Sequence, residues 1–320
     1  MIRILLLTTL LAAPVRADEI WVTNEMDDTV SVIDAKSFAV KATYPTGERP
    51  RGVTFSKDFK YLYICASDSD AVQVMDPETG KVLHDLPSGE DPEQFVLAPD
   101  DRLLYIANEN DAVTTVVDTR TRKVVAQIDV GVEPEGMGIS PDGKVQVTTS
   151  ETTNMAHWID TATHKIIANS LVDPRPRHAE FSPDGSELWV SSEIGGTVAV
   201  FDAATQGQKA KITFAIKGIR SEKIQPVGIA FSPDARKIFV ALGPANHVAV
   251  IDAKSFAVEK YILVGRRVWH MAISPDQTKL FTTNGISGDV TVIDLASLEP
   301  IATVKVGRFP WGAAARPSNE

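Results

Sequence analysis

An all-β fold, a seven-bladed β-propeller of four-stranded antiparallel blades, is predicted for this 320-residue sequence. The first reason is a repeat. An aspartate closing an apolar run recurs at Asp34, Asp76, Asp118, Asp160, Asp202, Asp252 and Asp294, every 42 residues except for one interval of 50. The second is a turn marker in the same register: Ser56-Lys57-Asp58, Ala98-Pro99-Asp100, Ser140-Pro141-Asp142, Ser182-Pro183-Asp184, Ser232-Pro233-Asp234 and Ser274-Pro275-Asp276. The third is period-two alternation between the markers, as in Val30-Ser31-Val32-Ile33, with no convincing period of 3.6 anywhere. Four strands per unit at this period make propeller blades, and they exclude a Rossmann or barrel enzyme of alternating strands and helices.

Taken in chain order, Met1-Ile2-Arg3, the apolar run Ile4–Ala13 and Val15-Arg16-Ala17 have the parts of a secretory leader. Residues 1–17 are therefore expected to be a signal peptide and residues 18–320 a single propeller domain. Ser-Pro-Asp-Gly, complete at Gly143 and Gly185, suits a type I turn, with proline presetting the second position. The recurring aspartates precede Ser or Thr by three residues, so their carboxylates are expected to build turns rather than catalyse. Arg316-Pro317-Ser318 fills the turn slot, and Ile20–Asn24 stands in register with Leu62–Ala66. The ring is thus expected to close by pairing an inner strand Trp311–Ala315 with three N-terminal strands, which removes exposed edges. The extra eight residues lie between Lys211 and Pro226, where they could serve as a lid or docking loop or be neutral length.

Charged residues are 23% of the chain, and 42 acids against 32 bases give a net charge of -10. No basic footprint for nucleic acid exists, and no later apolar stretch is long enough to span a membrane. A periplasmic location and a monomer are expected. Cys65 is the only cysteine, so no intrachain disulfide is possible, and its strand context suits a small buried residue.

Cores such as "VSVID", "VAVID" and "VTVID" at 42-residue spacing resemble the YVTN family of β-propellers over the whole mature chain. Five loop segments are similar to the PQQ-dependent catabolism-associated β-propeller family: residues 150–156, 172–177, 191–197, 241–246 and 264–269. That resemblance implies a periplasmic protein accompanying quinoprotein alcohol dehydrogenases. Haem d1-binding propellers and lactonase propellers are more distantly similar.

Candidate site residues come from departures from the repeat. After the turn slot Pro50, Pro92, Pro134, Pro176, Pro226, Val268 and Pro310, the next row reads Arg51, Glu93, Glu135, Arg177, Val227, Trp269 and Trp311. The row after it reads Gly52, Gln94, Gly136, His178, Gly228, His270 and Gly312. A scaffold slot needs one residue type in every blade, so broken symmetry on one rim marks a site. The candidates are Arg51, Glu93, Gln94, Glu135, Arg177, His178, Trp269, His270 and Trp311. Arginines could hold carboxylates and the tryptophans could stack a flat ring. The competing reading is that arginines and glutamates neutralise each other around a channel. A second ring, Glu25, Glu109, Glu151 and Glu193, could hold a hard cation or pair with Arg49, Arg51, Arg175, Arg177, Arg266 or Arg267. No zinc spacing, Cys-x-x-Cys-His or Gly-x-Ser-x-Gly motif occurs. The favoured expectation is a non-enzymatic binding protein for a small anionic or aromatic ligand, PQQ first, or for a dehydrogenase or transport partner. The alternatives are a lactonase-like hydrolase and non-covalent haem held by His178 or His270.

Overall fold

The computed structural model describes residues 18–318; the expected leader lies outside them. Seven separate four-stranded antiparallel sheets are arranged as blades. Numbered from the N-terminus, their innermost strands are Pro310–Arg316, Pro50–Phe55, Pro92–Leu97, Pro134–Ile139, Pro176–Phe181, Ile229–Phe231 and Val268–Ile273. Helix among the described residues amounts to two short 3-10 turns, Ser67–Ser69 and Ser221–Lys223.

Blade 1 closes the ring as the register requires. Glu19–Asn24 pairs with Thr29–Asp34 on one side and with the C-terminal strand on the other, Trp21 opposite Ala314 and Ile20 opposite Ala315. Neither chain end is left as a free inner edge.

The turns follow from their residues. Gly143 N donates to the Ser140 carbonyl at 2.8 Å, and Gly185 N to that of Ser182 at 2.8 Å. The serine hydroxyls donate to the aspartates two residues on, as Ser232 does to Asp234 at 2.7 Å. Asp34 Oδ1 accepts from Lys36 N at 3.0 Å and Ser37 N at 2.7 Å, the turn expected of the recurring aspartates.

Apolar burial is divided among seven clusters, one in each seam between consecutive blades. Trp158 of blade 4 packs with Phe181 and Leu188 of blade 5, for example, and Trp21 of blade 1 with Phe55 and Ile64 of blade 2. Hydroxyls add a polar stitch near the axis. Thr23 accepts from Gly312 N and donates to the Arg51 carbonyl of blade 2. Thr149 and Thr283 do the same in blades 4 and 7, and Ser191 donates to the Val227 carbonyl of blade 6. Cys65 holds the equivalent slot in blade 2, fully buried.

The eight-residue insertion is packed rather than loose. Phe214 and Ile224 are buried in the seam between blades 5 and 6, with Ile216 and Ile219 against them.

Every seam is built from side chains of two consecutive blades, so the ring should melt as one unit. Deleting residues 308–320 strips blade 1 of its inner strand and uncovers the seams that flank it. The expected outcome is loss of the cooperative thermal transition by circular dichroism; a sharp melt at the wild-type temperature would contradict this closure.

Candidate functional site

The inner strands carry all nine candidate residues to the axis, where they form two layers. The turns entering the strands place Arg49, Arg175 and Arg267 at left-handed positions with φ of 54°, 63° and 59°. The same conformation recurs at Asp91, Glu133 and Phe309, so it belongs to the scaffold.

The outer layer is ionic. Around blades 1 to 3, Arg49 reaches Asp91 at 2.8 Å and Glu93 at 3.0 Å, while Arg51 reaches Glu25 at 3.0 Å and also pairs with Glu93. Around blades 4 to 7, Arg177 pairs with Glu135 and Glu151 and lies 3.2 Å from Glu193. Arg175 joins Glu151 at 2.8 Å, and Arg267 joins Glu193 at 2.6 Å and Gln225 Oε1 at 2.8 Å. Of the glutamate ring considered for a cation, Glu25, Glu151 and Glu193 are thus occupied by arginines. Glu109 stands with Asp91 and Glu93, their carboxylate oxygens within 4.8 Å of one another, and Arg49 and Arg51 supply counter-charge to the latter two.

Protons are distributed unevenly here. Burial pushes the Glu135 carboxyl well above the usual range, and its hydrogen bond with Glu151 adds to that against the pull of Arg177. Burial also pushes Glu151 up, but the bond from Glu135 and the charges of Arg177 and Arg175 outweigh it and hold Glu151 below the usual range. Of this pair, Glu135 therefore holds a proton more tightly than Glu151.

The tryptophans sit against these cations. Trp269 has the Arg267 guanidinium 4.0 Å and the Arg177 guanidinium 5.6 Å from its ring centre, and Arg51 lies 5.6 Å from Trp311. The two indoles are 6.5 Å apart at 34°.

Beneath this layer runs an axial cavity of about 670 Å³, reaching the Ser-Pro-Asp rim at Pro141 and Pro183. Four of the nine candidates line its inner end: Gln94, His178, His270 and Trp311. Arg51, Glu93, Glu135, Arg177 and Trp269 do not line it; they form the layer above. His178 and His270 face each other with ring centres 5.6 Å apart, and His270 lies 4.2 Å from Trp311. Both His178 nitrogens, His270 Nε2 and Trp311 Nε1 are buried without a hydrogen-bond partner. Burial, then the neighbouring His178, Arg177 and Arg51, hold the His270 pKa well below its usual value, so its imidazole is neutral at neutral pH.

Glycine fills this row in the other four blades because the neighbour is close. A Cβ at Gly312 would lie 2.5 Å from the Arg51 carbonyl oxygen, and one at Gly228 2.7 Å from that of Trp269. Sequence reasoning missed the next row down, where Phe95, Met137 and Met271 line the cavity walls, and it missed Gln225 as a partner of Arg267. The departures of these positions from one another were the available signal. A smaller cavity of about 380 Å³ lies off the axis, lined by turn residues such as Ser56 and Asp100 with Tyr63 and His84.

Arg177→Met strands Glu151 and Glu193 without their central cation, which should cost about 3–5 kcal/mol and lower the melting temperature measured at pH 7. Glu135→Gln should behave oppositely. Glu135 keeps in the fold a proton that the unfolded chain releases above its ordinary pKa of 4.5, so wild type loses stability as pH rises past that value. Glutamine has no such proton, and urea unfolding should show the variant gaining on wild type between pH 5 and 8. A variant that loses ground over that range would contradict the proton placement.

Two family descriptions match parts of the chain: residues 3–112 match YNCE-like β-propellers, and residues 173–299 match the seven-bladed lactonase β-propellers. No curated protein matches in sequence. Among solved structures, hydrazine synthase of Kuenenia stuttgartiensis superposes with a TM-score of 0.78 at 20% identity, covering 86% of this chain and 92% of that one. A candidate 6-phosphogluconolactonase from Bacteroides uniformis gives 0.80 at 16% identity, covering 94% and 100%. The dihydro-haem d1 dehydrogenase NirN, solved with DHE, gives 0.71 at 14% identity, covering 96% and 77%. At these identities the likeness is one of fold, and the chain is a seven-bladed β-propeller.

Proposed function

We propose that this protein is a non-enzymatic binding propeller of the periplasm that takes a flat, ring-bearing small molecule into its axial cavity and serves PQQ-dependent alcohol oxidation. One observation carries the binding reading. Three residues lining the inner end of a cavity of ligand size, His178, His270 and Trp311, carry four buried nitrogens that the scaffold leaves without a hydrogen-bond partner. Stranding buried polar groups is costly, and a ligand that bonds to them recovers that cost. Trp311 and the two imidazoles offer ring faces, and Gln94 adds an amide whose Nε2 is already directed to the Arg177 carbonyl at 3.4 Å. Arg51 and Arg177 are engaged with glutamates behind this end, so they act on a ligand's carboxylates through their field rather than by contact. The leader-like N-terminus supports export, and the loop resemblance to the PQQ-associated propellers supports the metabolic setting, with a quinoprotein dehydrogenase or transport component as partner.

A second reading, non-covalent haem, is favoured by the free imidazole nitrogens and by the fold shared with the haem d1 enzyme NirN. Titration of the mature chain with PQQ and separately with hemin, followed by tryptophan emission and visible absorption, tests both. The expected result is saturable quenching by PQQ that weakens at least about tenfold, or about 1.4 kcal/mol, in His270→Ala and Gln94→Ala. A Soret band that shifts in one histidine variant alone would favour haem. No saturable response to either probe would overturn the reading. Lactone hydrolysis abolished by His178→Ala would make the cavity an active site instead.

A further inference from the structure

The histidines of this chain differ in how their nitrogens are used. His157 Nδ1 meets Asn169 Oδ1 at 2.6 Å and its Nε2 accepts from Gly131 N at 2.9 Å, while His247 Nδ1 meets the Ala245 carbonyl at 2.7 Å. His178 and His270 instead leave three nitrogens unpartnered in the same small volume, on rings brought together from blades 5 and 7 across the short inner strand of blade 6. The nearest charged group to this pair is Glu180, whose Oε2 is 3.4 Å from His178 Nε2.

The spacing of the rings matches a shared metal. An imidazole bound at about 2.0–2.1 Å puts its ring centre roughly 3.1–3.2 Å from the ion. Two such rings then stand roughly 5.1–5.5 Å apart at tetrahedral to trigonal angles, and roughly 6.3 Å apart when opposite. The observed 5.6 Å, with the ring planes at 55°, lies just beyond the trigonal spacing and well short of the opposed one, an angle of roughly 125° at a shared ion. It is too close for a haem plane to lie between them.

We propose that His178 and His270 form a two-histidine site for a first-row transition metal ion, copper first, with the remaining coordination positions open to the axial cavity. Two imidazoles with a single carboxylate beside them, that of Glu180, select borderline metals over magnesium or calcium, and affinity across the series peaks at copper. Arg51 is matched by Glu25 and Glu93 and Arg177 by Glu151 and Glu193, which offsets part of the repulsion these arginines exert on positive charge at His270. The site deepens the cavity reading, because a metal at its inner end would supply a bond to a donor atom of the bound molecule, but it is testable with no organic ligand present.

The test is titration of the tag-free mature chain with copper(II) and zinc(II) in a non-coordinating buffer, followed by calorimetry, tryptophan emission and electron paramagnetic resonance. One equivalent of copper should bind, quench Trp311, whose ring is 4.2 Å from His270, and show coupling to two nitrogens. His178→Ala and His270→Ala should each weaken binding at least about tenfold and remove the two-nitrogen signature, and His84→Ala should change neither. His178→Phe and His270→Gln, checked by melting temperature, replace the alanine variants if those fail to fold. Binding that is absent in folded wild type, or unchanged in either histidine variant, overturns the proposal. Copper binding without any response to PQQ or hemin would sink the organic-ligand reading alone. PQQ or hemin binding in a chain that takes up no copper would sink the metal site alone.

Discussion

Everything at the centre of this molecule follows from seven inner strands converging on one axis. Each blade must bring its first residues there, and there is room for only a few large side chains. Where glycine occupies the row of residues 52, 136, 228 and 312, the neighbouring backbone closes in to within a would-be Cβ contact of 3.1 Å or less. Hydroxyls of Thr23, Thr149, Ser191 and Thr283 stitch inner strands to the next blade. Gln94, His178 and His270 stand where glycine would, so their side chains occupy the axis and line its cavity.

The same crowding separates two chemistries within a few ångströms. Above, five arginines and their glutamates form a neutralised, partly buried layer in which Glu135 keeps its proton. Buried ion networks of this kind constrain geometry more than they stabilise, because desolvation offsets much of the attraction. Below, both His178 nitrogens, His270 Nε2 and Trp311 Nε1 have no hydrogen-bond partner. The layer above also holds unpartnered atoms, Glu135 Oε1 and Trp269 Nε1 among them, so the adjoining cavity and the ring faces of His178, His270 and Trp311 are what set the lower end apart.

The architecture was legible because it is repetitive. The aspartate register, the Ser-Pro-Asp turns and the in-register Ile20–Asn24 segment each recur or complete a recurrence, and turn chemistry depends on local residues. The sorting of rim residues into an ionic layer and a cavity end was not legible. Period-two alternation fails at the start of the inner strands, where the register shifts between Pro50 and Val53, Pro92 and Phe95, Pro134 and Met137, Pro176 and His178, and Val268 and Met271. Such bulges re-aim side chains, so neighbouring rows such as Arg177 and His178 reach layers that counting alone cannot assign. The pairing of Arg267 with Gln225 depends on how the insertion packs, which no repeat predicts.

We place ligand binding at the inner end of the axial cavity rather than in the arginine layer. Anomalous scattering from crystals of the tag-free protein soaked in copper(II) tests this most directly. One strong peak between His178 and His270, at the inner end of the cavity, is expected. A peak at Asp91, Glu93 and Glu109 on the ionic face with none between the histidines would contradict it.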